Sequence, residues 1–220
     1  MISLNFQSKS PLLPAFNVKL SDTILDEETT NQLAGVVLTE SKNIIANVKS
    51  ADETDDPTWL TGKLWGYNFL DFDYPCVKKF NNFIFDSYTI YMDKIGVDSS
   101  KPIYIQCWAN ILKNNGRTIK PHNHANAHCD APHEYSYVSG NISIQVENTS
   151  THFAHPIFKE LAYELPNVNG QLIMFPSFMT HWSSENLSEE PRITIAFDLI
   201  TEEVYNMVDN HNYRLLEKTV

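Results

Sequence analysis

The chain has 220 residues, of which 42% are hydrophobic and 20% charged, enough apolar material for one sizeable core and too little charge for a disordered chain. Its formal net charge of −11 argues against nucleic acid or an anionic membrane as the main partner, because both reward cationic surfaces. No apolar run approaches the roughly 20 residues of a membrane span, and the start "MISLNFQSKSPLLPAF" lacks the pattern of a signal peptide. The expectation is a soluble, cytoplasmic protein (host cytoplasm for a viral one).

The first hundred residues read as a mainly helical support region. Residues 26–50 place Leu33, Val36, Val37, Ile44 and Val48 near helical spacing, with Asp26, Glu27 and Glu28 at the positive end of the helix dipole. The acidic stretch "SADETDDPTW" (50–59) reads as a loop. A second helix is predicted over 74–96: Val77, Phe80, Ile84, Tyr88, Tyr91 and Ile95 step by three or four. Pro75 suits its first turn and Gly96 its C-terminal cap.

The second half changes period. Residues 102–113, 137–148, 151–158, 171–176 and 192–200 read as strands, and "RTIKPH" (117–122) as a short strand after the "NNG" turn. The expected fold is α+β: a jelly roll over 101–205, with the N-terminal helices packed on one sheet and 206–220 as a C-terminal tail, all in one integrated domain.

Cys76, Cys107 and Cys129 are odd in number and without C-x-x-C spacing, so neither a disulfide framework nor a zinc knuckle is expected. Cys76 and Cys107 read as core thiols. Cys129 falls in the densest stretch of the chain, "PHNHANAHCD" (121–130), with three histidines and an aspartate. On a strand, residues i and i+2 share a face, so His122 and His124 can grip one metal. His181, after the apolar run "GQLIMFP", is a third candidate from the opposite wall. Asp130, in the H-x-D of His128-Cys129-Asp130, is the alternative to His124.

Arg192 lies in a segment that otherwise reads as a buried strand. A buried guanidinium needs an anion, and no acid of the strand itself faces it. A ligand carboxylate would satisfy it, with the Thr194 hydroxyl on the same strand face donating a further bond. A salt bridge to a loop acid such as Glu185 is the structural alternative. His152, His155 and His211 have no partner pattern and read as structural or surface, and His133 as a loop residue. Trp108 reads as core, and Asn110 shares its face.

The order G-x(5)-H-x-H, then Ser139-Gly140, then G-x-L-x-x-F-P-S-x-x-x-H and R-x-T-x-x-F resembles the iron(II)/2-oxoglutarate-dependent dioxygenases. Within them it is similar to a small bacterial and phage group, prolyl-hydroxylase-like. The resemblance runs from Trp108 to Asp198. It implies a double-stranded β-helix and a metal triad, with His122 as first ligand and His181 as the distal one. It further implies Arg192 and Thr194 on the far carboxylate of 2-oxoglutarate, and Asn110 as a contact to the keto acid. Fe(II), 2-oxoglutarate and O2 would be required, with ascorbate as a supporting reductant. The implied reaction is oxidative decarboxylation to succinate and CO2 coupled to hydroxylation of a small-molecule or peptidyl substrate. The family usually carries an acid where this chain has His124. Its relatives often carry aromatics after the Ser-Gly pair, where this chain has Asn141, Ile142 and Ser143. A cupin-like metal protein that does not use 2-oxoglutarate, or a non-catalytic viral or structural module on a jelly roll, are the alternative functions.

Overall fold

The computed structural model describes residues 1–6, 16–47, 59–61, 67–112, 118–124, 136–156, 162–207 and 212–219. An N-terminal antiparallel hairpin joins β1 (Ile2–Phe6) to β2 (Phe16–Leu20). Then follow β3 (Thr23–Ile24), α1 (Glu27–Asn47), β4 (Trp59–Thr61) and, after a 3-10 turn, α2 (Pro75–Ile95). The remaining strands are β5 (Ile103–Leu112), β6 (Val138–Gln145), β7 (Ser150–Ala154), β8 (Ala162–Pro166), β9 (Gln171–Pro176), β10 (His181–Ser183) and β11 (Arg192–Thr201). Helix α3 (Glu202–Met207) and β12 (Arg214–Leu215) complete the chain.

Both predicted long helices form. Asp26 caps α1: its carboxylate accepts from the Thr29 backbone N–H at 3.0 Å and from the Thr29 hydroxyl, and pairs with Lys79 of α2 at 2.9 Å. Helix α2 starts on Pro75 and ends at Gly96, whose φ of 74° is the left-handed conformation glycine adopts without a Cβ penalty.

The Thr29 N–H and Lys79 hold the Asp26 carboxyl down to about 2. Its unfolded value is about 3.9, so its contribution to stability is complete above that pH and is lost as pH falls through the folded value. Asp26→Asn, which keeps a capping side chain but not the charge, is therefore expected to melt below the parent at pH 7. The gap should close as pH approaches 2. A gap that stays constant over that range would mean that the charge is not its source.

The major sheet runs β12-β5-β11-β6-β9-β3, with β4 also on the outer edge of β5; the minor sheet is β10-β7-β8. All pairings are antiparallel. This is the jelly roll the second half predicts. The N-terminal hundred residues, expected as mainly helical, also supply β1 to β4. The segment read as a tail adds β12 to the sheet edge and puts Leu216 in the core. Strands β8 and β10 were not anticipated: β8 (AYELP) is largely exposed and β10 has three residues, too short to show a period. The stretch 118–122 is not a strand. It lies beside β10 and pairs with it through one bridge, His122 to His181, and through the Ser183 N–H to the Ile119 carbonyl at 3.2 Å; Pro121 between them has no N–H to continue a ladder.

Period two governs the three central strands. One face carries Ile103, Ile105, Cys107, Ala109 and Ile111 of β5, with Ile193, Ile195, Phe197 and Leu199 of β11. It packs against Leu33, Val37, Val77, Phe80, Ile84 and Met92 of the helices. Gly140 of β6 is opposite Phe197, and a Cβ there would lie 2.1 Å from the ring, so only glycine lets the two strands pair. Cys76 and Cys107 are free buried thiols, as expected; burial pushes the Cys107 thiol well up.

The other face is polar: Gln106 and Asn110 of β5, Ser139, Asn141 and Ser143 of β6, and Arg192, Thr194 and Asp198 of β11. All but the half-buried Asn141 are buried. Alternation of this kind ordinarily puts the polar side in water. Here the minor sheet and the aromatic side chains of β7 and β9 cover it. The polar face therefore lines an interior.

Candidate functional site

Three histidines meet at the mouth of this interior. His122 and His181 bridge backbone to backbone, with N–H to carbonyl distances of 3.1 and 2.9 Å in the two directions. His124 is held by its own N–H to the Ser177 carbonyl at 2.9 Å and by the Ser136 N–H to its carbonyl at 3.2 Å. Ring centroids are separated by 5.0 Å (His122–His124), 4.4 Å (His122–His181) and 5.2 Å (His124–His181). One ring nitrogen from each lies within 4.8 Å of the others, close enough to bind a metal ion. Phe175 lies edge-on to His181 at 4.7 Å, and Trp108 stacks along His124 at 5.9 Å.

The outer nitrogen of each ring is already engaged. Nδ1 of His122 is 2.8 Å from the Lys120 carbonyl, Nδ1 of His181 is 3.0 Å from the Met179 carbonyl, and Nδ1 of His124 is 2.6 Å from Asp198 Oδ1. A carbonyl or carboxylate can only accept, so each Nδ1 carries the proton and donates. The lone pair of each neutral ring is then on Nε2, the usual state of a metal-ligating imidazole with its outer partner in place. His124 Nε2 is buried without a hydrogen-bond partner, a costly state that a metal would relieve. Burial, then the neighbouring His124 and His122, lower the His181 pKa well below the ordinary imidazole value, keeping that ring neutral and able to ligate. The donor set therefore fits a divalent transition metal with an imidazole preference.

Deeper along the same face is Arg192, 2% exposed. Its Nε and Nη1 have no hydrogen-bond partner, and neither does the Thr194 hydroxyl beside it on the strand. Asn141 Oδ1 is a third orphan, on a side chain that lines a cavity of about 10 Å³ with Ser143, Thr151, Phe153 and Asn167. No Glu185 salt bridge to Arg192 forms among the described residues. Burial lowers the arginine to about 10, so it stays charged at neutral pH. A buried charge with orphaned donors beside a hydroxyl can receive a carboxylate. Asn110 is buried on this face, paired across β5 and β11 with Thr194.

His122, His124 and His181 thus come together, and Arg192, Thr194 and Asn110 share their interior face. Asp130, His128, Cys129, His133 and His211 lie outside the described residues. His152 stacks on Trp182 and His155 packs against Phe6, both away from the cluster. One expectation needs correction: an acid of β11 does share the face of Arg192. It is Asp198, six residues along, and it engages His124 instead. Its signal was present in the i, i+2, i+4, i+6 spacing of "RITIAFD".

Residues 106–198 match the family described as "Putative 2OG-Fe(II) oxygenase". No curated protein sequence matches the chain. Among solved structures, a Pseudomonas putida prolyl-4-hydroxylase aligns with a TM-score of 0.56 at 12% identity, over 83% of this chain and 92% of that one. A Trichoplax adhaerens prolyl hydroxylase, in complex with a hypoxia inducible factor peptide fragment, aligns at 0.58 and 12%, over 86% and 88%. The alpha-ketoglutarate-dependent epimerase SnoN of nogalamycin biosynthesis aligns at 0.58 and 10%, over 92% of each chain. At these identities the structural likeness shows the shared jelly-roll fold. No described helix is long and apolar enough to cross a membrane.

Proposed function

We propose that this chain, which its family match and fold indicate to be a 2OG-Fe(II) oxygenase, hydroxylates a small-molecule or peptidyl substrate at a centre built from His122, His124 and His181. The observation that carries the reading is the pairing of this cluster with the orphaned, buried Arg192 on one interior face.

The three imidazoles would hold Fe(II) through Nε2, with the outer hydrogen bonds fixing each ring. Bound iron and 2-oxoglutarate would supply oxidative decarboxylation to succinate and CO2, coupled to oxidation of the substrate by O2. The protein binds and orients. Arg192 would take the far carboxylate of 2-oxoglutarate in a bidentate pair, with the Thr194 hydroxyl donating to it and Asn110 beside it. Phe153 and Phe175 exclude water from the wall, which strengthens each polar contact inside. His122, the most exposed of the three histidines, marks the side from which a substrate approaches.

The test is direct. Anaerobic titration of the Mn(II)-loaded protein with 2-oxoglutarate should give saturable binding. With Fe(II), ascorbate and air, 2-oxoglutarate should be converted to succinate, slowly without substrate and faster when a panel of peptides and small metabolites contains the right one. Failure to bind 2-oxoglutarate in a metal-loaded protein would overturn the reading.

A further inference from the structure

We propose that Asp198 serves as the carboxylate of this metal centre from one residue away, a positioning residue that acts on the metal through His124. The inference rests on the three-histidine metal site proposed above and deepens it.

Asp198 is 0% exposed. A carboxylate taken wholly out of water is costly unless paired and hydrogen-bonded, so its partners indicate what it is for. Its Oδ1 accepts from His124 Nδ1 at 2.6 Å and from the Ser139 hydroxyl at 2.7 Å, and Ser139 is itself 2.9 Å from the Ser177 hydroxyl. Two donors on one oxygen, from two further elements, fix the carboxylate in rotation. Ser177 also accepts the His124 backbone N–H through its carbonyl, so the same residue secures both ends of the arrangement.

The histidines are not equivalent. Nδ1 of His122 and of His181 lies on a neutral backbone carbonyl, whereas Nδ1 of His124 lies on a carboxylate. Three neutral imidazoles around a divalent ion leave the full +2 in a low-dielectric cup. A carboxylate hydrogen-bonded to one of them lowers the net charge of the assembly to +1 and makes that ring the most basic donor. His124 Nε2, buried and without a partner, is the atom through which this is transmitted. The bond from Nδ1 to Asp198 holds the ring's orientation, and Trp108 stacks along it.

The experiment is Mn(II) titration of the full-length protein, without oxygen, in a double-mutant cycle. Asp198→Asn keeps an acceptor for His124 and Ser139 but removes the charge. In the parent background it should weaken Mn(II) binding about 10–100-fold. In the His124→Asp background, where a carboxylate stands beside the metal, the same change should cost nothing or improve binding, because it removes a like charge. An equal loss in both backgrounds, or no loss in the parent, overturns the inference and leaves Asp198 a packing residue. A parent that binds Mn(II) with no effect of Asp198→Asn defeats this inference alone. A parent that binds no Mn(II) defeats the metal site and the inference together. If Asp198→Asn does not fold, Ser139→Ala, which frees one bond to the same oxygen, takes its place. With Co(II) bound, its visible ligand-field spectrum should shift from that of the parent, and an unchanged spectrum would count against the role.

Discussion

Exchanging Arg192 for methionine should weaken 2-oxoglutarate binding strongly and, in the ligand-free protein, raise the unfolding temperature. The two expectations have one cause. Arg192 sits in a strand that is buried along nearly its whole length, with Nε and Nη1 making no hydrogen bond. A guanidinium in that state costs the apo protein stability, and an apolar side chain of similar length relieves the cost. Replacing buried ionic groups with well-packed apolar ones gains on the order of 1–4 kcal/mol where it has been measured. Loss of a buried partner to a ligand carboxylate costs about 2–5 kcal/mol of binding, a weakening of at least about 30-fold. Calorimetric titration of the Mn(II)-loaded variant with 2-oxoglutarate, beside thermal unfolding of both apo proteins, reads both signs. An arginine kept for a structural salt bridge would give the opposite pattern: an unstable variant with intact 2-oxoglutarate binding.

His181→Ala should remove the metal. Of the three histidines, His181 is the one locked between a strand and two aromatic rings, with backbone bonds to His122 in both directions. Taking it away leaves two ligands and opens a gap beside Phe175. The loss in Mn(II) affinity should exceed the roughly 10–100-fold that follows from losing only an outer hydrogen-bond partner, and succinate formation should fall to background. His152→Ala is the informative control. That residue stacks on Trp182, which follows His181 in the chain, but lies outside the cluster. It should bind Mn(II) as the parent does. Equal losses in both variants would mean that folding of the β7–β10 edge, not ligation, had been disturbed.

Much of this protein is written in local pattern. Alternation in β5, β6 and β11 and the three-four spacing in α1 and α2 are properties of short windows, so they survive without knowledge of the rest of the chain. The caps at Asp26, Pro75 and Gly96 are equally local. Arg192 was legible because a charge in a buried strand is an exception that demands a partner. His122, His124 and His181 were legible through the resemblance more than through their spacing.

Other features depend on contacts between distant segments. Strand β10 has three residues, and it exists because β7 and the His122 backbone pair with it. The stretch before His122 has strand-like composition, yet Pro121 interrupts its pairing with β10 between Ile119 and His122. Asp198 shows the limit most clearly. Its place on the Arg192 face follows from counting by twos, but its partner is 74 residues away, on a segment whose path the strand pattern does not specify.

The sequence by itself determined which residues alternate, where the helices begin and end, and that an unpaired arginine and a surplus of histidines need explaining. Tertiary structure alone decided that the polar side of the central strands faces inward. It also decided that His124 comes together with His122 and His181, and that the Asp198 carboxylate stands behind it. The physical reason is that a period of two sorts side chains onto two faces but does not say which face meets water. Only the covering of one face by the minor sheet, and of the other by the helices, settles that choice.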